Sequence, residues 1–259
     1  MTELVLSSTN DDGVCQLVMN RPEAYNALSR PLMSALIAAL ETAGDNEACK
    51  VIVISGAGKG FCAGHDLKEV RGLNDVDEKR ALFALCSHLM LTIQSLSKPV
   101  IAQIHGIATA AGCQLAATCD LAVAAEGTKF ATPGVNIGLF CSTPMVALSR
   151  AVPNKQSMEM LLTGEMQSAE RAVEIGLINR VVSADSLETE TVAWAAKVAS
   201  KSPLVLKIGK EAFYRQKQMS TAEAYDYCSE VMTQNLLAKD AEEGISAFIE
   251  KRSPVWTGE

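Results

Sequence analysis

The stretch IAQIHGIATAAGCQLAATCD, residues 101–120, decides the fold of this chain. Its first four residues belong to the apolar run 100–104, which predicts a short buried strand that ends at His105. Alanine and glycine then dominate residues 108–112, where a helical pattern opens. Nothing bulky covers this first turn, so its unpaired backbone N–H groups are free to face developing negative charge. Close packing of a helix on a sheet also selects small residues, and both explanations stay open at this point.

Composition limits the classes of protein that this 259-residue chain can belong to. Hydrophobic residues make up 48% of the chain, enough for a sizeable core, and aromatic residues only 5%, so that core must be aliphatic. The formal net charge of −7 comes without a basic stripe, and we therefore expect no nucleic acid partner. No apolar run is long enough to predict a membrane span, so no membrane partner is expected either.

Eight cysteines are spread through the chain without a CxxC pair or a metal-type spacing to the three histidines. We therefore expect no metal site. Most of these cysteines lie in apolar runs, where cysteine acts as a small hydrophobe, and a set of free thiols suits a reducing compartment. The N-terminal residues show no charged segment followed by an apolar one, so a signal peptide is not predicted and a cytoplasmic location is expected.

Apolar runs separated by helical patterns predict an α/β fold. Buried strands are predicted at 51–54, 100–104 and 121–125, with helices between them, and this order is typical of a layered, right-handed α/β unit. From residue 143 onward helical patterns dominate. We divide the chain into an α/β core, residues 1–195, and a helical C-terminal region, residues 196–259.

A glycine-rich loop, GAGKGFCAG at 56–64, follows the first buried strand. Its spacing fits GxGxxA, a weak dinucleotide fingerprint, but the next strand ends at His105 and not at the acidic residue which that motif requires. A flexible loop is the plain alternative. A third interpretation pairs this loop with the turn at 108–112, so that two strand ends present two backbone N–H groups to one carbonyl oxygen, as in an oxyanion hole.

Six stretches of the sequence resemble the crotonase family, the enoyl-CoA hydratase/isomerase superfamily, and they occur in the family's order. They are RPEAYNAL (21–28), GKGFCAGHDLKE (58–69), HGIATAAGCQLAATCDLAVAAE (105–126), FATPGVNIGLF (130–140), LLTGEMQSAERAVEIGLINRVV (161–182) and EGISAFIEKRSPVW (243–256). The resemblance implies a crotonase-like spiral of ββα units whose helical C-terminal region serves trimerisation, with homotrimers commonly paired into hexamers. It also implies an acyl-CoA thioester as ligand and no separate cofactor, because coenzyme A is part of the substrate.

The resemblance further implies roles for individual residues. The backbone N–H groups of His65 and Ala111 match the donors of the family's oxyanion hole. The matched substrate-binding positions comprise one loop, the backbone near it, and two C-terminal residues that in relatives contact coenzyme A across a subunit boundary. They are Ala24, Ala63, Asp66, Leu67, Lys68, Phe248 and Lys251.

Two positions depart from the family pattern. Family hydratases carry two glutamates that position and activate water, and these align with Gln114 and Gly134 here. An amide can hold a water but cannot take its proton, and glycine supplies no functional group. The sequence therefore predicts an acyl-CoA enzyme that polarises the thioester carbonyl without the usual hydration chemistry. A homologue that binds acyl-CoA without turnover is the alternative.

Several other polar residues are candidates for the site. The His65 side chain either faces the acyl chain or simply packs. Asp66 is expected to structure its loop instead of acting as a base. Cys141 and His88 would form a nucleophile pair if the fold brought them together, with packing of the thiol as the alternative. His105 is expected to be a structural residue at a strand end.

Overall fold

The computed structural model describes residues 3–259, in which it has nine strands and eleven α-helices. The strands are β1 (Val5–Thr9), β2 (Val14–Met19), β3 (Val51–Gly56), β4 (Val100–Ile104), β5 (Ile107–Thr109), β6 (Leu121–Ala125), β7 (Lys129–Ala131), β8 (Gln167–Ser168) and β9 (Arg180–Val182). The helices are α1 (Arg30–Asp45), α2 (Leu67–Gly72), α3 (Val76–Ser95), α4 (Ala111–Thr118), α5 (Ser142–Ala151), α6 (Asn154–Thr163), α7 (Ala169–Glu174), α8 (Leu187–Ala199), α9 (Pro203–Gln216), α10 (Thr221–Leu236) and α11 (Lys239–Glu250). None of the helices in this range is both long and apolar enough to cross a bilayer.

Two sheets organise the chain. The larger has the order β1-β2-β3-β4-β6-β9, in which only the β1–β2 hairpin is antiparallel. The smaller has the order β5-β7-β8. The sequence β4, β5, α4 places one strand in the large sheet, one in the small sheet and then a helix, and β6, β7, α5 repeats that order with a short 3₁₀ helix before α5. The predicted α/β fold of ββα units, followed by helices, is thereby confirmed.

Helices cover both faces of the large sheet. Helix α1 begins where the Ser29 side chain accepts a hydrogen bond from the Leu32 N–H, and its apolar stripe is buried in the main core. On the other face, Ala195 and Ala199 of α8 pack against Val53 and neighbouring strand residues. The core is aliphatic, as the composition predicts, because most of its largest fully buried side chains are leucine, isoleucine and methionine.

The sequence predicted the large sheet better than the small one. The strands at 51–54, 100–104 and 121–125 all lie in one sheet, as expected. The helical pattern was expected to open at 108, however, and Ile107–Thr109 is strand β5. This strand pairs with β7 and with Cys62, so tertiary pairing overrides the local preference of an alanine-rich segment. The predicted domain boundary at 195/196 falls within α8 and stays a prediction.

A buried ion pair joins the C-terminal helices to the core. The Lys210 ammonium of α9 lies 2.7 Å from Asp120, which also accepts a hydrogen bond from the Tyr214 hydroxyl at 2.8 Å. Lys210 donates to the main-chain carbonyls of Ile93 and Lys98 as well. Burial lowers the pKa of Lys210, while the Asp120 carboxylate opposes that shift. The charge on Lys210 therefore depends on Asp120.

Removing the Asp120 carboxylate should strongly destabilise the protein. We expect Asp120→Ala to lower the free energy of unfolding by about 3–5 kcal/mol, because it leaves a buried, unpaired ammonium. Equilibrium unfolding in urea measures this loss. Asp77→Ala is the matched control, since its pair with Arg80 is exposed on both sides and should contribute little. Equal losses in the two variants would contradict the prediction.

Candidate active site

The turn between β5 and α4 has a strained backbone. Ala110 has φ 51° and ψ −117°, a conformation that residues with a Cβ rarely adopt. Its N–H donates to the Ala131 carbonyl of β7, which helps to hold the turn. Ala111 follows as the first residue of α4, where backbone N–H groups lack partners within the helix. The turn therefore leads the chain from β5 of the small sheet directly into the N-terminal end of a buried helix.

The glycine-rich loop packs directly on this helix end. Cys62 exchanges backbone hydrogen bonds with β5, since its N–H donates to Ile107 and its carbonyl accepts from Thr109. The same carbonyl lies so close to Gly112 that a Cβ there would be only 2.1 Å away. Only glycine fits at this position. The loop and the first turn of α4 are therefore fixed to each other.

Gly64 brings the neighbouring residue, His65, beside the helix end. A Cβ on Gly64 would lie 3.3 Å from the Ala111 nitrogen. Leu28 donates to the Gly64 carbonyl and accepts from the Asp66 N–H, so the backbone on both sides of His65 faces Leu28. In extended chain successive N–H groups point to opposite sides, and the His65 N–H therefore points away from Leu28. Sequence reasoning correctly expected these two segments to meet.

The Asn26 side chain fixes the glycine-rich loop through hydrogen bonds to its backbone. Its amide donates to the carbonyls of Ala57 and Gly60, both at 2.9 Å, and its oxygen accepts from the Arg21 N–H. Asn26 is completely buried and adopts a positive φ of 53°. Sequence reasoning did not single out this residue, and its place in the RPEAYNAL stretch was the available signal. His105 also bonds the loop, through Nε2 to the Gly58 carbonyl, as a strand-end structural residue should.

Asp66 is a structural carboxylate, as the sequence suggested. It caps α2 by accepting from the N–H groups of Lys68 and Glu69, and its second oxygen binds the Arg21 guanidinium at 2.8 Å. The Arg21 guanidinium holds the pKa of Asp66 below its usual value. Both oxygens are thus engaged, and Asp66 is poorly suited to act as a base. Leu67 beside it is exposed.

The other predicted substrate-binding residues fall into two groups. Ala24 and Ala63 come together, because the Ala63 N–H donates to the carbonyl of Tyr25, the residue after Ala24. Phe248 and Lys251 lie at the end of α11, where a single chain leaves both exposed. The first group belongs to the loop region, and the second lies on the C-terminal helices.

Gln114 lies in the second turn of α4 and is almost completely buried. Its side-chain oxygen is 3.9 Å from the Cys86 thiol of α3, a contact that pairs two uncharged groups. Cys86 gave no sequence signal of this contact, because it occupies an ordinary apolar position on its helix. Where the resemblance implies a carboxylate in family hydratases, this chain has a neutral amide.

Close packing, and not the backbone angles, requires a glycine at position 134. It lies in a 3₁₀ helix, Pro133–Ile137, and its φ is not positive. A Cβ there would be 2.5 Å from the Leu139 carbonyl and 2.9 Å from the Cys141 sulfur. Neighbouring chain therefore occupies the place where a side chain would begin.

The proposed Cys141–His88 pair is not supported. Burial raises the pKa of the Cys141 thiol, so the thiol stays protonated and is a poor nucleophile. His88 is exposed and lines a cavity together with Lys207 and Tyr214, and Cys141 is not part of that cavity. The packing interpretation of Cys141 fits the structure. Residues 3–259 also contain no group of three or more histidine, cysteine or acidic side chains that could hold a metal ion.

Adding a side chain at Gly134 should destabilise the protein. We expect Gly134→Ala to lower the free energy of unfolding by about 1–3 kcal/mol, because its methyl group would collide with the Leu139 carbonyl. The same collision blocks Gly134→Glu as a simple restoration of the family's second glutamate. Gly72→Ala is the control, since nothing lies within 4 Å of a Cβ there. Urea unfolding checks both, and no loss in Gly134→Ala would refute the packing explanation.

Comparison with known proteins supports the family that the sequence resembles. Residues 9–259 match the sequence model of the enoyl-CoA hydratase/isomerase family. The rat protein named enoyl-CoA hydratase domain-containing protein 3, mitochondrial, is 47% identical over 97% of this chain and 84% of its own length. The stretch FATPGVNIGLFCSTP, residues 130–144, resembles this subgroup, and the similarity over nearly the whole chain agrees.

Solved structures agree as well. The crystal structure of an enoyl-CoA hydratase from Mycobacterium smegmatis superposes with a TM-score of 0.95, at 48% identity over 98% of both chains. Human enoyl Coenzyme A hydratase domain-containing protein 3 gives 0.94, at 45% identity over 98% of this chain and all of that one.

The expected cytoplasmic location is wrong by this comparison. The similar proteins from rat, frog and human are all named mitochondrial. The expectation rested on the lack of a secretory signal pattern and on the unpaired cysteines, and free thiols indicate only a reducing environment, which is not a property of one compartment.

The fold, the matched residues 9–259 and the close structural relatives all lead to the same assignment. The chain belongs to the enoyl-CoA hydratase/isomerase family.

Proposed function

We propose that this chain binds an acyl-CoA thioester and polarises its carbonyl with the backbone N–H groups of His65 and Ala111. The observation that carries this proposal is the close approach of the His65 loop to the start of α4, where a Cβ on Gly64 would lie 3.3 Å from the Ala111 nitrogen. Family membership supplies the class of ligand. The acyl-CoA is the substrate, and no separate cofactor is required.

The proposed chemistry depends on negative charge at the thioester oxygen. Two fixed N–H donors and the positive end of the α4 dipole would stabilise that charge without reorganising during the reaction. Each such donor is typically worth about 10²–10³-fold in rate. The buried contacts around Cys62 and Gly112 provide the rigidity that this mechanism needs.

The same site lacks the usual means of hydration. Gln114 and Gly134 occupy the positions of the family's two glutamates, and each missing acid–base group typically forfeits about 10²–10⁴-fold in rate. Asp66 does not replace them, because both of its oxygens are engaged. We infer that the reaction is one that needs no carboxylate base. Gln114 and Gly134 also favour a second candidate, a homologue that binds acyl-CoA without turnover.

We further propose that two subunits build each ligand site. The loop and the backbone near it, Ala24, Ala63, Asp66, Leu67 and Lys68, would hold the adenine and pantetheine parts of coenzyme A. Phe248 and Lys251 would reach the ligand of a neighbouring subunit in a homotrimer or a hexamer built from two trimers. In support, Phe248 is 85% exposed and lies on one helix with Ile245 and Ile249, which are exposed too, and such an apolar patch indicates an interaction site.

Binding and hydration should separate in the purified protein. We expect it to bind butanoyl-CoA in calorimetry while hydrating crotonyl-CoA very poorly in an absorbance assay, because no carboxylate deprotonates the water. Gly112→Ala should weaken butanoyl-CoA binding about tenfold, the effect of losing about 1.4 kcal/mol, by pushing α4 away from Cys62.

Gly72→Ala is the control for that variant and should bind as the unmodified protein does. Efficient hydration of crotonyl-CoA would refute the missing-base argument, and failure to bind any CoA thioester would refute the proposed function itself.

The proposed assembly is also testable. Exposed apolar side chains cover the C-terminal helices: they are Leu236, Leu237, Ile245, Phe248 and Ile249. We expect light scattering to give the mass of a trimer or hexamer, and Leu237→Glu to reduce it. Val76→Glu, a similar change at an exposed apolar residue of α3, should leave the mass unaltered. A monomer at micromolar concentration would contradict the proposal.

A further inference from the structure

A cavity of about 240 Å³ lies at the edge of the large sheet where its central parallel strands begin. Its lining includes Lys50, which directly precedes β3, and Lys98, which lies two residues before β4. The glycine-rich loop and the β5–α4 turn follow the opposite ends of these two strands. Strands of five or six residues are about 15–20 Å long, so the cavity is separate from the candidate oxyanion site.

The lining of this cavity is strongly basic. Four of its eleven residues are lysines, namely Lys50, Lys98, Lys201 and Lys207, and none is acidic. Within residues 3–259, no carboxylate lies within 4 Å of any of these four ammonium groups. The chain as a whole has a formal net charge of −7, so this local excess of positive charge opposes the overall balance. Like charges gathered around one cavity repel each other, and a bound anion would relieve that repulsion.

The ammonium group of Lys98 is held in a fixed position at the cavity. It donates to the carbonyls of Ala43 and Asn46 at the end of α1, at 2.8 and 2.6 Å. An ammonium group has three N–H donors, and these two bonds leave one for another acceptor. Lys98 is therefore an oriented donor, and little side-chain freedom remains to be lost when an anion binds.

The adjacent cavity between α3 and α9 has a different charge pattern. It measures about 610 Å³ and shares Ser97 and Lys207 with the basic cavity, but its lining also contains the Glu211 carboxylate. Its arginine, Arg215, is placed over the Tyr227 ring, 4.6 Å from the ring centroid. The uncompensated positive charge therefore belongs to the smaller cavity.

The kind of cation indicates the kind of anion. Arginine is the residue that best matches planar groups such as carboxylates, because its guanidinium binds them through two parallel hydrogen bonds. Lysine binds phosphate oxygens as a compact point charge. The basic cavity is lined by lysines and by no arginine, which favours phosphate. Four lysines around one cavity suit an anion that carries more than one phosphate group.

We propose that the cavity between Lys50, Lys98, Lys201 and Lys207 binds a small anion with two or more linked phosphate groups. This site goes beyond the proposed function, because it lies at the opposite edge of the sheet from the acyl-CoA site and uses none of its residues. The protein would therefore hold an acyl-CoA thioester and a phosphate anion at the same time.

Calorimetry with inorganic pyrophosphate tests the site in the full-length protein. We expect saturable binding that Lys98→Met weakens about tenfold, the effect of losing one charged hydrogen bond. Because Lys98 also holds the end of α1, Lys207→Met provides a second position, where the exposed side chain should account for about threefold. Lys155→Met, at an exposed lysine of α6 outside the cavity, is the matched control and should bind as the unmodified protein does.

A competition experiment separates this site from the acyl-CoA site. Saturating pyrophosphate should leave the dissociation constant of butanoyl-CoA unchanged, and Lys207→Met should bind butanoyl-CoA normally. Three results would overturn the inference: no binding of pyrophosphate, binding that neither Lys98→Met nor Lys207→Met weakens, or displacement of pyrophosphate by butanoyl-CoA. Binding of pyrophosphate by a protein that binds no CoA thioester would support this site while refuting the proposed function.

Discussion

The contact between the glycine-rich loop and the first turn of α4 is the constraint on which the site depends. The Cys62 carbonyl lies against Gly112 while the Cys62 backbone pairs with β5, so loop, strand and helix are fixed by one residue's main chain. A backbone approach as close as the one at Gly112 tolerates no side chain, and close packing of this kind holds the two segments rigidly. Any chemistry at this helix end relies on that rigidity.

The same ββα unit also anchors the rest of the chain. Helix α4 begins at the strained Ala110 turn and ends just before Asp120, which binds Lys210 and Tyr214 of α9. One end of the unit thus forms the candidate site, and the other holds the C-terminal helices. If those helices contribute Phe248 and Lys251 to a neighbouring subunit, as we propose, this ion pair is one of the contacts that link the site to the assembly that completes it.

The candidate oxyanion site is distinguished by the absence of a free carboxylate among the residues described around it. The nearby carboxylates Asp66 and Glu69 are tied to arginines, and Gln114 and a protonated Cys141 are neutral. Fixed backbone dipoles therefore remain as the main source of electrostatic stabilisation. Such dipoles favour a polarised carbonyl but transfer no proton, which separates the binding of an acyl thioester from the hydration of one.

The sequence by itself determined the strands of the large sheet and the helical C-terminal region, because apolar periodicity is a local property. It offered the meeting of two small-residue turns as one of three interpretations, and the tertiary structure decided for it. The capping box that begins α10, between Ser220 and Glu223, follows from the equally local pattern Ser-x-x-Glu. Only the tertiary structure decided that Ile107–Thr109 is a strand, that Ala110 is strained and that Gly134 is held by Leu139. These features arise from partners distant in sequence, and no pattern within a short window encodes them.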